Sequence, residues 1–108
     1  MPRNDDLTYQ LCKEGGCVHI MTNDFNNVYY TGVTSDLRHR VWQHRNNVYQ
    51  DSFTSKYKCY KLVYFQVFLN IEEAIDEEKR IKAGSRQQKI ELIKSLNPTW
   101  ADLFETLD

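Results

Sequence analysis

Residues 17 to 21, CVHIM, and 28 to 33, VYYTGV, are β-prone runs separated by TNDFNN, whose Asn and Asp residues suit a tight turn. Two such runs so close in sequence read as a hairpin, and a hairpin commits a small chain to an antiparallel pair that must bury one face. The second run leads through Gly32 into SDLRHRVWQH, where Ser35 or Asp36 is placed to cap a helix running to about Asn47. A strand, a glycine and a capped helix in succession predict an α/β (α+β) domain. The polar, aromatic stretch YQDSFTSKYKCY that follows has no clear period and reads as a loop.

KLVYFQVFL, residues 61 to 69, is the third expected strand. Its nearly continuous apolar character predicts burial on both faces, hence the middle of the sheet. Asn70 is placed to cap a helix from Ile71 to about Ala83, and Ser85 another from Arg86 to Leu96, with Gly84 as the stop between them. Asn97 and Pro98 end that second helix. Trp100, Leu103, Phe104 and Leu107 then recur at i, i+3, i+4 and i+7, which predicts a short helix closing over the core.

The 108 residues suffice for one core and leave no room for a second substrate-binding domain. The expected organisation is a polar N-terminal segment over residues 1–15 and a single domain over 16–108. The longest apolar run, Leu62 to Leu69 broken by Gln66, is too short to span a bilayer, and the first fifteen residues lack the apolar stretch of a secretory signal. A cytoplasmic protein with no membrane partner is the expectation. Three cysteines, Cys12, Cys17 and Cys59, lack metal-ligand spacing and read as reduced and structural. The net charge of −1 is unevenly spread: residues 16 to 98 hold twelve Lys or Arg against nine Asp or Glu, whereas the two ends hold two against six. That central excess permits a nucleic-acid partner without implying one.

Polar groups interrupt the faces that should be buried. On the first helix Leu37, Val41 and Val48 form the apolar stripe, and Arg40 and His44 fall on the same arc. On the helix from Ile71, Glu78 lies in the centre of the apolar face made by Ile71, Ala74, Ile75 and Ile81. A carboxylate there must be paired, protonated or bound to a metal. An internal ion pair with Arg40 or Lys82 and a functional site both satisfy that requirement. Tyr29 and Tyr30 point to opposite faces of their strand, so one packs inward while the other can reach a site. Gly32 either permits a bend or lets a phosphate approach the sheet closely. Trp42 and Tyr49 are candidates for base stacking or for ordinary packing. A cation, an imidazole, a phenol and a carboxylate over one sheet would make a phosphodiester-cleaving set, with Glu78 holding a hard divalent cation and Arg40 stabilising phosphoryl charge.

In this order and spacing the residues resemble the GIY-YIG nuclease family, particularly small stand-alone members related to the N-terminal incision domain of the excision-repair excinuclease. Cys17-Val18-His19 ahead of IMTN corresponds to the first half-motif and Tyr30-Thr31-Gly32 to the second. GVTSDLRHRVWQH and EAIDEEKRIK match the segments that follow, and the likeness runs through KLVYF to the NPTW tail, roughly residues 16 to 104.

The resemblance implies a small three-stranded mixed sheet flanked by helices and a metal-dependent DNA endonuclease, acting in DNA repair or processing. It places the catalytic set at His19, Tyr30, Arg40, His44 and Glu78, with Glu78 as ligand to Mg²⁺ or Mn²⁺. Gly32, Lys56, Lys82 and Arg86 are the expected nucleic-acid contacts. His19 stands where the family has the tyrosine that activates water. An imidazole there is compatible with a general base, with a site that has lost its chemistry, and with a structural histidine. His19 and Tyr30 share a face only if paired residues on the first two strands sum to an odd number. The alternative function is a catalytically degenerate module that binds nucleic acid or protein. A protein partner supplying specificity is compatible with either.

Overall fold

The computed structural model describes residues 11 to 46 and 52 to 107. The elements are β1 (Gly16–Thr22), β2 (Tyr29–Thr34), α1 (Leu37–Arg45), the single turn α2 (Phe53–Lys56), β3 (Lys61–Phe68), α3 (Ile71–Ala83), α4 (Arg86–Leu96) and a 3₁₀ turn (Leu103–Thr106). The sheet order is β2-β1-β3 and both ladders are antiparallel, in place of the mixed sheet that was expected.

The hairpin forms where the turn chemistry placed it. Asn23 Oδ1 accepts from the backbone N–H of Asn27 at 3.0 Å, and Asn26 takes the left-handed backbone at φ 56° that an asparagine tolerates. The capping expectations also hold. Asp36, not Ser35, caps α1 by accepting from His39 N–H; Asn70 caps α3; and Ser85 and Gln88 form a reciprocal capping box at α4. The loop after α1 contains the turn α2, capped by Ser52. The expected end of α1 near Asn47, with Val48 and Tyr49, lies outside the described residues; the described helix ends at Arg45.

The central strand is β1, which corrects the placement of β3 in the middle. All seven residues of β1 are buried, whereas β3 lies at an edge. The apolar run of β3 has two other causes. A bulge shifts the register between Ile20 and Met21, so Ile20 pairs with Tyr64 and Met21 with Leu62, and the unpaired Val63 joins Tyr64 in the cluster on one face. The chain end then covers the exposed edge: Asn97 Nδ2 donates to Val63 O at 3.1 Å, and Asp102 Oδ1 accepts from Leu62 N–H at 3.2 Å.

Two apolar clusters lie on the two faces of the sheet. One gathers Cys12, Cys17, Met21, Leu37, Val41, Cys59, Leu62 and Leu107, beneath α1 and the chain end. The other gathers Val18, Ile20, Val63, Tyr64, Ala74, Ile81 and Ile93, beneath α3 and α4. The three cysteines are free and buried. Residues 11 to 14 are helical, and Cys12 belongs to the core, so this part of the expected polar lead-in is packed against the domain.

The expected helical stripe of Trp100, Leu103, Phe104 and Leu107 is divided between the two faces. Trp100 adopts φ 58° and packs in the α3 cluster, stacking 6.1 Å from Tyr29, while Leu103 and Phe104 pack beneath α1. A left-handed residue breaks the helical period there, so the chain wraps round the β3 edge and forms only a 3₁₀ turn.

Candidate functional site

The hairpin register decides which side chains meet. His19 pairs with Gly32, and every directly paired couple sums to the same odd number, so His19, Gly32 and Tyr30 share the α1 face. Tyr29 falls on the opposite face with the α3 cluster. α1 lies over the first face and buries Leu37, Val41 and His44. The histidine on its buried stripe therefore enters the sheet-facing side.

The result is a chain of rings. The Tyr30 and His44 centroids are 5.3 Å apart in an edge arrangement, His19 is 6.2 Å from Tyr30 and 6.3 Å from His44, and Phe53 of α2 is 6.0 Å from Tyr30. His44 Nδ1 shares a 2.7 Å hydrogen bond with Thr54 Oγ1, which fixes the ring and leaves Nε2 unpartnered. Arg40, half-buried on the same helix, holds both imidazoles down in pKa through its charge, adding to the larger effect of burial. Its guanidinium is thus electrostatically coupled to the ring cluster.

His19 has 0% exposure and neither ring nitrogen has a hydrogen-bond partner. Burial, with smaller contributions from His44 and Arg40, lowers its pKa to about 3. The expected role as a base requires contact with water, and this ring has none. Gly32 is likewise reassigned. A Cβ on Gly32 would stand 2.9 Å from His19 Cε1, 3.0 Å from its Nε2 and 3.1 Å from Tyr30 Cε1. The space above Gly32 is filled by protein rings, so it offers no approach for a phosphate.

Glu78 comes from the other layer. α3 packs against β1 and β2 on the face away from α1, so the carboxylate does not join the imidazoles over one face. The neighbouring Glu77 pairs with Arg80, and both charges act on Tyr64 of β3. Glu78 follows it on the same helix. Its side chain is 16% exposed and meets Lys82 Nζ at 3.6 Å, so the ion pair expected with Arg40 or Lys82 is to Lys82.

Among the described residues no three His, Cys, Asp or Glu side chains converge as metal ligands. A single carboxylate with a loose lysine contact fits an ion that keeps most of its water, such as Mg²⁺, and lacks the nitrogen and sulfur donors that zinc prefers.

The expected strand contacts are dispersed. Lys56 of α2 is exposed with its Nζ 5.5 Å from the Tyr57 ring, Lys82 pairs with Glu78, and Arg86 begins α4 on the opposite face. Trp42 is half-exposed on α1 with the His39 ring stacked at 5.9 Å. Sequence reasoning missed Phe53 and Thr54. The one signal for them was the Ser52 cap, which opens a helical turn in what otherwise reads as loop.

The model of the GIY-YIG catalytic domain matches residues 15–91. The chain belongs to the GIY-YIG family. A UPF0213 protein of Clostridium perfringens is 42% identical over 66 residues, covering 61% of this chain and 70% of that protein. One from Oceanobacillus iheyensis is 35% identical over 65 residues, covering 60% and 74%. The solution structure of a UPF0213 protein from Bacillus halodurans superposes with a TM-score of 0.52 at 25% identity, covering 81% of this chain and 90% of that one. The GIY-YIG match spans Tyr30, Arg40, His44 and Glu78 together. It is a nuclease family, and the resemblance read from the half-motifs holds.

Proposed function

We propose that this GIY-YIG chain is a divalent-metal-dependent DNA endonuclease, with Tyr30, Arg40, His44 and Glu78 as its working set. One observation carries the reading: α1 buries His44 against the strand face that bears Tyr30, with the half-buried Arg40 electrostatically coupled to that histidine. A half-buried cation beside two neutral imidazoles has electrostatic cost that a bound phosphate offsets.

In this reading Arg40 neutralises charge that grows on the non-bridging oxygens as water attacks phosphorus and one phosphate ester bond breaks. His44, neutral and oriented by Thr54, donates to or accepts from the phosphate group through Nε2. Tyr30 is partly exposed, unlike His19, and takes the role of orienting the attacking water through its hydroxyl, the water's proton passing by way of solvent to the departing oxygen. His19 serves as a buried ring that packs against both Tyr30 and His44. Glu78 would hold Mg²⁺ or Mn²⁺, which would supply Lewis-acid stabilisation of phosphoryl charge when bound.

The test is cleavage of supercoiled, branched and single-stranded DNA with Mg²⁺, Mn²⁺ or EDTA. Cleavage lost in EDTA and in Glu78→Gln, and lowered about 10²- to 10³-fold in Arg40→Ala, supports the reading. Salt-sensitive binding without cleavage would instead support a binding module, which the sealed His19 and the layer separating Glu78 from Arg40 favour as second reading.

A further inference from the structure

Beside the ring cluster, at the hairpin end of β2, lies a hollow of about 330 Å³ lined by Asn27, Val28, Tyr29, Phe53, Arg86 and Lys89. Its chemistry is one-sided. Two cations and two aromatic rings line it, with no carboxylate. Arg86 lies 5.0 Å from the Tyr29 ring centre and donates to Asn27 O at 2.5 Å, while Lys89 Nζ donates to Gly84 O at 2.8 Å. Both cations are thus held by neutral carbonyls, and among the described residues neither is paired with an acid. Phe53 is 43% exposed although it packs at 4.7 Å on Tyr57 and 6.0 Å on Tyr30. A half-exposed ring fixed by two others offers a face at little further cost in side-chain entropy.

We propose that this hollow is a nucleotide pocket, taking one unstacked nucleotide of a DNA strand with its base against Phe53 and its phosphate between Arg86 and Lys89. Aromatic rings stack on any base, and cations without acidic partners are suited to phosphate. Phe53 forms a wall of this pocket and also touches Tyr30, so a strand seated here continues toward the proposed scissile position. The proposal takes from the preceding section only that the partner is DNA. It does not require cleavage.

The test is anisotropy of a labelled ten-residue oligothymidylate, and of the same sugar-phosphate chain made abasic, titrated with the protein in EDTA. Phe53→Ala is expected to weaken oligothymidylate binding about tenfold, to leave abasic binding within about twofold, and to be rescued by Phe53→Tyr. The double variant Arg86→Ala, Lys89→Ala is expected to weaken both ligands and to reduce the slope of log affinity against log salt by about 1.4. Binding of oligothymidylate unaltered by Phe53→Ala, equal losses on both chains, or absence of binding at low salt would overturn the pocket. Cleavage measured in parallel with Mg²⁺ separates the two claims. Cleavage with unaltered binding in the variants overturns the pocket alone, and the expected binding pattern without cleavage overturns the nuclease reading alone.

Discussion

Among single residues, His19 is one through which this protein responds to acid. Its folded pKa, about 3, lies below the 6.5 of an unperturbed histidine, so the unfolded chain binds the extra proton between those values. The sign follows: the stability is fully present above pH 6.5 and is lost as pH falls through the window toward 3. Between pH 7 and pH 3.5 the loss from this residue is on the order of 4 kcal/mol. Denaturant unfolding of the parent and of His19→Leu across that range should show a markedly shallower decline in the variant; parallel declines would show that His19 is not the group responsible. Gly32 makes the complementary prediction. Gly32→Ala puts a methyl within about 3 Å of the His19 and Tyr30 rings and should cost about 1–3 kcal/mol of stability, read as a lower urea midpoint with unchanged m.

At the scale of elements, the edge of β3 depends on side chains contributed from beyond α4. Asn97 is 4% exposed and uses both ends of its amide: Nδ2 donates to Val63 O and Ala101 O, and Oδ1 accepts from Ala101 N–H. Asn97→Ala leaves the buried Val63 carbonyl and the part-buried Ala101 backbone groups without these bonds and is expected to cost about 1–3 kcal/mol, with faster amide exchange at Ala101. Asn97→Asp keeps the acceptor to Ala101 and loses both donors, so it should recover only part. The capped helices were readable from sequence because a cap is a local device, made by a side chain two or three residues from the N–H it serves. The middle strand was not. Periodicity reports how much of a strand is buried but not by what, and a bulge with a covered edge mimics the apolar run of a central strand.

For the whole molecule, Asp102 ties the layers together. Its carboxylate pairs with Arg45 of α1, accepts from Leu62 N–H of β3 and caps the 3₁₀ turn through Phe104 N–H, while the Arg45 guanidinium also lies 4.5 Å from the Phe104 ring centre. Both partners of the ion pair are 27% exposed, so solvent screens it only in part. Asp102→Ala should therefore destabilise by about 2–3 kcal/mol, and a double-mutant cycle with Arg45→Ala should return a coupling of about 1 kcal/mol; complete additivity would mean that the Arg45–Asp102 pair adds nothing to the hold on this segment. No helix among the described residues is long and apolar enough to cross a membrane.

The hairpin, the helix caps, the family likeness and the identity of the polar residues on apolar stripes were legible before folding was considered, because each rests on chemistry between near neighbours or on the period of one element. Packing settled the rest: the odd hairpin register that unites His19, Tyr30 and Gly32, the sealing of His19, and the assignment of Glu78 to the layer opposite α1. The reason is physical: register, solvent access and layer are properties of how elements pack, and a loop such as TNDFNN is compatible with more than one packing.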